Sequence, residues 1–267
     1  MEFDFLLSLT LFAISSASLL LFLRFEKRLE VLSSGQQLRI RDVVLIVAMM
    51  AVMVVVVVLI PGRILQILFL FSASSLLFLL TYLIVPRIPV AVLPPALLVG
   101  LYFFYWNLFF MDLFAVLLVI SAILYVGRIF TWKTTLAFAA LLTANDIIQV
   151  FVTGYMVDVA KKASGLALPM MVVIPSFPSP GFIVLGLGDL LLSGLFVIQT
   201  ALRWGKHYGI LSCASTAAGL MIGEFIILNT TYSFLPATVF VTLGWLATFG
   251  YIQLKAQKES KTPAPSD

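Results

Sequence analysis

The chain has 267 residues, of which 62% are hydrophobic and 10% are charged, and its formal net charge is +4. This composition excludes an ordinary soluble domain and predicts an all-α polytopic membrane protein in a lipid bilayer. In such a protein Lys and Arg report orientation before they report partners, so nucleic acid is not an expected ligand.

Apolar runs of about 17 residues or more predict nine transmembrane helices. The predicted spans cover residues 5–23, 43–60, 64–85, 90–105, 108–126, 134–156, 181–202, 208–228 and 234–254. The fourth span is short and carries two adjacent prolines, and merging it with the fifth would leave eight spans. Beyond residue 254 the sequence becomes polar, so we expect a disordered tail over residues 255–267.

The distribution of positive charge predicts the orientation of these spans, because Lys and Arg accumulate in cytoplasmic loops. Of the 16 Lys and Arg residues, only Arg63, Lys161 and Lys162 fall in the segments that nine spans place on the side of the N-terminus. The remaining 13 of the 16 fall in the opposite loops and in the tail. We therefore expect an N-terminus outside and a C-terminus in the cytoplasm.

Two aspartates interrupt predicted spans that are otherwise uncharged. Asp146 is alone between residues 136 and 157, and Asp189 is alone between residues 182 and 202. A carboxylate at membrane depth costs about 2.5–3.5 kcal/mol on insertion scales, so such a residue is functional by default. Counted along helices from opposite membrane faces, Asp146 lies about 18 Å deep and Asp189 about 13.5 Å deep. The sum is close to the roughly 30 Å hydrocarbon core, so the two carboxylates are expected to meet at one level.

Other residues near these aspartates carry weaker signals. Gly186 and Gly188 remove side chains just before Asp189, which lets another backbone or a substrate approach closely. Glu224 is a third acid inside a span, and two interpretations stay open: it joins two helices, or it lines a water-filled cavity. Asp112 lies near the end of its span and is expected to be solvated.

The connection between the sixth and seventh spans, residues 158–180, differs from the other connections. It contains a short β-prone run bracketed by Pro169 and Pro175, which is typical of a strand rather than a helix. The run consists of Met170, Met171, Val172, Val173 and Ile174. We interpret it either as an apolar loop on the membrane surface or as an exposed strand edge that an extended peptide substrate joins.

Acids inside a membrane serve either proton or ion transport or acid–base catalysis. The sequence has no HExxH motif, and its only histidine, His207, lies at a predicted span end, where it is not placed to activate a buried serine. With one cysteine, Cys213, no His/Cys cluster for a metal is expected. If the chain hydrolyses peptide bonds within the membrane, Asp146 and Asp189 must do so as a pair that shares a proton. The assignment of base and acid within the pair stays open.

The residues around the two aspartates resemble the GxGD intramembrane aspartyl proteases, the family of presenilin and signal peptide peptidase. Residues 186–189 read GLGD, as in the family's seventh span, and Asp146 stands at the family's sixth-span aspartate. Leu235, Pro236 and Ala237 fall at the proline–alanine–leucine motif of the last span. A GxGD alone is a weak signal, but the three features occur in the family's order.

Two residues depart from the family's pattern. The family usually has tyrosine before the first aspartate, where this chain has Asn145, and leucine as the third residue of the last-span motif, where this chain has Thr238. The first departure bears on substrate gating or activity level, and the second bears on packing at the cleavage site. Neither removes a catalytic atom.

The resemblance implies a presenilin-like fold in which residues 1–133 form a five-helix scaffold and residues 134–254 form the catalytic region. It also implies a protease that cleaves transmembrane peptides or proteins without a metal or organic cofactor. The segment TGYMVDVAKK and the residues around GLGD are more similar to signal peptide peptidase than to presenilin, and the compact chain is similar to the microbial homologues. The alternative is a transporter or channel with an ion path through Asp146, Asp189 and Glu224, although no inverted repeat is evident.

Overall fold

The computed structural model describes residues 4–32, 37–176, 181–230 and 235–261. In these ranges the chain forms ten α-helices and one hairpin of two antiparallel strands. The helices are α1 (Leu6–Leu32), α2 (Ile40–Leu59), α3 (Gly62–Ile84), α4 (Ile88–Phe104), α5 (Leu108–Ile129), α6 (Trp132–Ile147), α7 (Tyr155–Gly165), α8 (Leu187–Trp204), α9 (Lys206–Asn229) and α10 (Ala237–Lys261). A π-helical turn (Ile148–Thr153) follows α6, and the strands are β1 (Met171–Ser176) and β2 (Gly181–Gly186).

The protein is a multi-pass membrane protein. Seven of the described helices are long and apolar enough to cross a bilayer: α1, α2, α3, α5, α6 with its π-helical turn, α9 and α10. The helices in the predicted fourth and seventh spans are shorter, since α4 has 17 residues and α8 has 18. The structure therefore supports seven of the nine predicted spans by length and composition.

Helix α8 lies inside the protein, surrounded by other helices. Every residue from Leu192 to Ala201 is buried, and the helix packs against α1, α5, α6, α9 and α10. Its polar side chains find partners within the protein; Gln199 donates to the carbonyl oxygens of Gly127 and Phe130 at 2.8 and 3.0 Å. Such satisfied polar groups are tolerated in a protein interior.

The seventh predicted span, residues 181–202, is helical only in part. Its first six residues form β2, and the helix begins at Leu187. The β-branched residues Ile183 and Val184, flanked by glycines at both ends of the strand, favour an extended chain over a helix. The expectation of a helix along this whole span is wrong for that reason.

The strand predicted between the sixth and seventh spans is confirmed. It begins at Met171 rather than Met170 and pairs with β2 in a register that places Val173 opposite Val184. At the base of the hairpin, the N–H of Leu187 donates to the carbonyl of Met170 at 3.3 Å. The all-α prediction is therefore corrected by one short sheet between α7 and α8.

Two predicted boundaries are also corrected. The sixth span was expected to run to residue 156, but its helix ends at Thr153, where Gly154 adopts a φ of 70° and α7 begins. The tail was expected to be disordered from residue 255, but α10 continues to Lys261. Its Lys, Gln and Glu residues are good helix formers, so polarity alone does not end the helix. The rest of the predicted tail lies outside the described residues.

One hydrophobic core joins the predicted N-terminal scaffold to the rest of the chain. It includes Leu11 on α1, Ile123 on α5 and Leu195 on α8, each fully buried. Helices α9 and α10 also approach closely, because a Cβ atom on Gly219 would overlap the carbonyl oxygen of Phe240. Small residues at such a crossing let two backbones touch.

Replacing Gly219 with Ala is expected to destabilise the protein by about 1–3 kcal/mol, because the backbone of α10 must move to admit the methyl group. Gly250→Ala on α10 is the matched control, since a Cβ atom there meets nothing within 4 Å. Thermal unfolding in detergent measures both variants. Equal unfolding temperatures for the two would contradict the close crossing.

Candidate functional site

The structure places Asp146 and Asp189 at one level of the helix bundle. At one end of the bundle the rings of Trp132 and Trp204 pack with centroids 4.6 Å apart. Asp146 follows Trp132 by 14 residues and Asp189 precedes Trp204 by 15, which puts them about 21 and 22 Å along their helices from this contact. The two carboxyl groups interact electrostatically, and both side chains are half-buried. The packing of α6 against α8 thus brings the two acids together, and their common depth in the membrane stays a prediction.

The Asp189 carboxylate is held by backbone groups. Its carboxyl group interacts electrostatically with the backbone N–H groups of Gly186 and Thr238. A Cβ atom on Gly186 would lie 3.2 Å from its Oδ2 atom, so glycine permits the close approach. A Cβ atom on Gly188, by contrast, would meet nothing within 4 Å. The two glycines of the GLGD run therefore do different things: one admits the carboxylate, and the other faces open space.

Asp146 lies in the last turn of α6, directly before the π-helical turn Ile148–Thr153. Its carboxyl group interacts with the side chains of Asn145 and Thr238. Asn145 in turn accepts a hydrogen bond of 3.1 Å from Gln149. The Thr238 hydroxyl faces Asp146 without closing a hydrogen bond of normal geometry to any described residue. π-Helical turns are frequent at functional sites, and this one changes the helical geometry of the chain just after Asp146.

The motif at Leu235, Pro236 and Ala237 precedes and begins α10, and the first turn of this helix lies next to the pair of acids. Pro236 is buried, its two neighbours are half-buried, and α10 begins at Ala237. The first N–H groups of a helix have no partner within it, so the N–H of Thr238 is free to bind Asp189. The positive end of the helix dipole also favours a negative charge there. Thr238, noticed in the sequence only as a departure, thus contacts both acids.

The open edge of the hairpin belongs to β2. Successive N–H groups of a strand point to opposite sides, and the N–H of Val173 is bound to Oδ1 of Asp112 on α5 at 2.9 Å. The backbone N–H of Val173 therefore points away from β2, and the backbone N–H of Val184, the residue opposite it, points away from β1. The same alternation puts Phe182 and Gly186 on this outer edge of β2. Because Gly186 binds Asp189, the edge ends at the carboxylate.

The run 170–174 does not present the exposed edge that its sequence predicts. Met171 and Val172 are 5% and 4% exposed, and β1 is covered by β2 on one side and held by α5 on the other. On β2, Phe182 and Val184 are 65% and 47% exposed. The predicted strand is present as β1, but β1 lies between β2 and α5. The open edge therefore belongs to β2.

A cavity of about 230 Å³ lies against the first turns of α8. It is formed by α3, α5 and the first turns of α8, and its lining is apolar except for Ser72. Leu187, Gly188 and Leu191 close it on the side of Asp189. The cavity therefore offers space for an apolar group beside the GLGD run.

Glu224 stands apart from the pair. Its Oε2 atom accepts a hydrogen bond of 3.0 Å from Ser8, and its side chain is buried between α9 and α1. Of the two interpretations left open by the sequence, the structure supports the contact between helices. Within the described ranges, no group of three His, Cys, Asp or Glu side chains is arranged to hold a metal ion.

No family model matches the chain, and no curated protein matches it. The assignment of chemistry therefore rests on the site itself: two interacting acids, one of them beside backbone N–H groups, at the end of an open strand edge.

Proposed function

We propose that the protein is an intramembrane aspartyl protease of the GxGD type, similar to signal peptide peptidase, that hydrolyses peptide bonds within transmembrane helices. The observation that carries the proposal is the meeting of Asp146 and Asp189 at the end of the open edge of β2. Two coupled acids alone suit several chemistries. Two coupled acids beside a site for an extended peptide suit proteolysis.

In the proposed reaction, one carboxylate removes a proton from water, and the oxygen attacks the carbonyl carbon of the substrate. The other, protonated acid donates to the carbonyl oxygen, which gives a tetrahedral diol. The C–N bond then breaks as the nitrogen receives a proton from the pair, and one hydroxyl of the diol returns a proton to the pair as the carboxyl product forms. The pair ends with one proton, as it began. Because the two groups titrate together, either Asp146 or Asp189 fills either role.

The edge of β2 answers the main difficulty of cleaving a helix in lipid. An unwound helix exposes backbone N–H and C=O groups. In hydrocarbon each such group costs about several kcal/mol when it lacks a hydrogen-bond partner. Pairing with Val184 on the outer edge of β2 supplies such partners and directs the next substrate residue toward Asp189. The proposal includes a presenilin-like arrangement of nine spans, with α4 and α8 as the two short ones.

The transport alternative has less support from the structure. It requires Asp146, Asp189 and Glu224 to form one path. Glu224 instead binds Ser8 at the contact between α9 and α1.

A transition-state mimic separates the two functions. We expect a peptide in which a hydroxyl-bearing carbon replaces the scissile carbonyl to bind at least about 10²-fold more tightly than the same peptide with a methylene there. The hydroxyl group strengthens binding only if it lies between two acids. Asp189→Asn should therefore remove the difference in affinity between the two peptides. Equal binding of the two peptides by the unmodified protein would contradict the proposal.

Activity is expected to have a bell-shaped pH dependence. The reaction needs one proton on the pair Asp146 and Asp189, so kcat/KM falls at low pH, where both groups are protonated, and at high pH, where both are ionised. Initial rates of peptide cleavage across the pH range measure this. A flat profile would show that the acids do not limit the chemistry.

The proposed orientation, with the N-terminus outside, is tested by labelling single cysteines. Cys213 is buried and is first replaced with Ala. Two exposed positions in short connections then receive cysteine: Tyr105→Cys, proposed to lie outside, and Arg87→Cys, proposed to lie inside. An impermeant maleimide added to intact cells should label the Tyr105→Cys variant and spare the Arg87→Cys variant. The reverse pattern would invert the orientation.

A further inference from the structure

Asp112 on α5 makes a hydrogen bond that the proposed reaction does not explain. Its side chain is half-buried rather than solvated, and its Oδ1 atom accepts from the backbone N–H of Val173 at 2.9 Å. The helix has no need of this acid for capping, because the Asn107 side chain already accepts from the N–H of Phe110. Asp112 lies beyond that first turn. Its carboxylate is therefore directed to the hairpin.

The chain that leads into the hairpin is anchored by the same part of the protein. The Tyr102 hydroxyl donates to the carbonyl of Leu166 at 2.9 Å, and the Trp106 indole donates to the carbonyl of Ala167 at 2.8 Å. Asp112 continues this row of contacts and binds β1 itself. The region around the α4–α5 connection thus holds the segment that links Asp146 to Asp189 in the sequence.

Two connections link the position of β1 to the site of the acids. Val173, bound by α5, stands opposite Val184, whose outward side is the open edge of β2. At the base of the hairpin, Met170 accepts from the N–H of Leu187, two residues before Asp189. Strands in a sheet lie about 4.8 Å apart, so a peptide on the outer edge of β2 sits about 10 Å from β1. The hydrogen bond from Val173 to Asp112 on α5 therefore helps to set the position of β1, and with it the positions of the outer edge of β2 and the start of α8.

We propose that Asp112 is a positioning residue for the cleavage reaction: by holding β1 through Val173, it sets which substrate bond the open edge of β2 presents to Asp146 and Asp189. This inference rests on the proteolytic function proposed above. Asp112 touches neither the substrate nor the reacting atoms. It determines where along the substrate the cut falls and how well the bond is placed.

The test compares Asp112→Leu, which removes the acceptor, with Asp112→Asn, which keeps a carbonyl oxygen of the same reach. A misplacement of about 1 Å costs up to about 10²-fold, so Asp112→Leu is expected to lower kcat/KM of a model transmembrane peptide by about tenfold or more. It should also spread cleavage over neighbouring peptide bonds, as seen by mass spectrometry. Asp112→Asn should retain the main cleavage site. The ratio of products does not depend on the fraction of folded enzyme, so a loss of stability alone leaves it unchanged.

A second variant removes the same hydrogen bond from the other partner. In Val173→Pro the donor N–H is absent, while the bonds of β1 to β2 are kept because Val173 faces away from β2. It should reproduce the altered product ratio, and combining it with Asp112→Leu should add nothing. The wild-type site and rate in Asp112→Leu, or additive effects of the two changes, would overturn this inference and leave the protease assignment intact. No cleavage by the unmodified protein would instead refute the proposed function, and this inference with it.

Discussion

Replacing Asp146 or Asp189 with Asn is expected to lower the rate of peptide cleavage by at least about 10³-fold, because the reaction needs both a carboxylate and a carboxylic acid. The single variants and the double variant should be equally inactive, since the pair acts as a unit. Asn has the size of Asp and keeps one acceptor oxygen for the N–H groups of Gly186 and Thr238. Folding should therefore be preserved, as measured by thermal unfolding.

The matched control is Asp158→Asn, which neutralises an acid in the first turn of α7. Its contribution to the helix is at most about 1 kcal/mol, so activity should stay within a few-fold of the unmodified protein. Residual cleavage by either single variant well above that of the double variant would rule out a catalytic pair.

Proline at Val184 is expected to lower kcat/KM by about tenfold or more, mainly through a higher KM. The N–H of Val184 points away from β1, so proline removes a donor for the substrate strand without removing a bond of the hairpin. Loss of one main-chain hydrogen bond, with its partner left unsatisfied in lipid, costs about 1–3 kcal/mol. Cleavage kinetics with a model transmembrane peptide measure the effect.

Val184→Ala keeps the N–H and serves as the control for the lost side chain. A substrate in which an ester replaces one amide lacks the N–H that donates to the Val184 carbonyl, the second hydrogen bond of the same residue pair, and at a single position of the peptide it should also raise KM. If Val184→Pro behaves as Val184→Ala does, the substrate does not pair with this edge.

The sequence was sufficient to find the two acids and the strand, because both depend on local rules. A lone carboxylate in an apolar run stands out at any depth, and a β-prone run between prolines is extended whatever its neighbours are. The common level of Asp146 and Asp189 also followed from helical rise alone, and the contact of Trp132 with Trp204 supports it.

The features that the sequence missed depend on tertiary contacts. Nothing in the run 170–174 shows that Asp112 binds Val173, and so the open edge was placed on β1 instead of β2. Likewise, Thr238 is read as a departure from a motif until α10 is seen to aim its first N–H groups at Asp189. The helical tail to Lys261 was missed because polarity was taken as disorder. Partners of a strand edge or of a helix terminus are set by packing.

Peptide-bond hydrolysis by this protein is measured by incubating the purified protein in liposomes with a synthetic transmembrane peptide in water enriched in ¹⁸O. Hydrolysis by the aspartate pair predicts pairs of products whose masses sum to that of the peptide plus one water, with the heavy oxygen in the new carboxyl terminus. It also predicts that Asp146→Asn and Asp189→Asn yield no such products. An intact peptide after incubation with the folded protein, or the same products from the double variant, would contradict it.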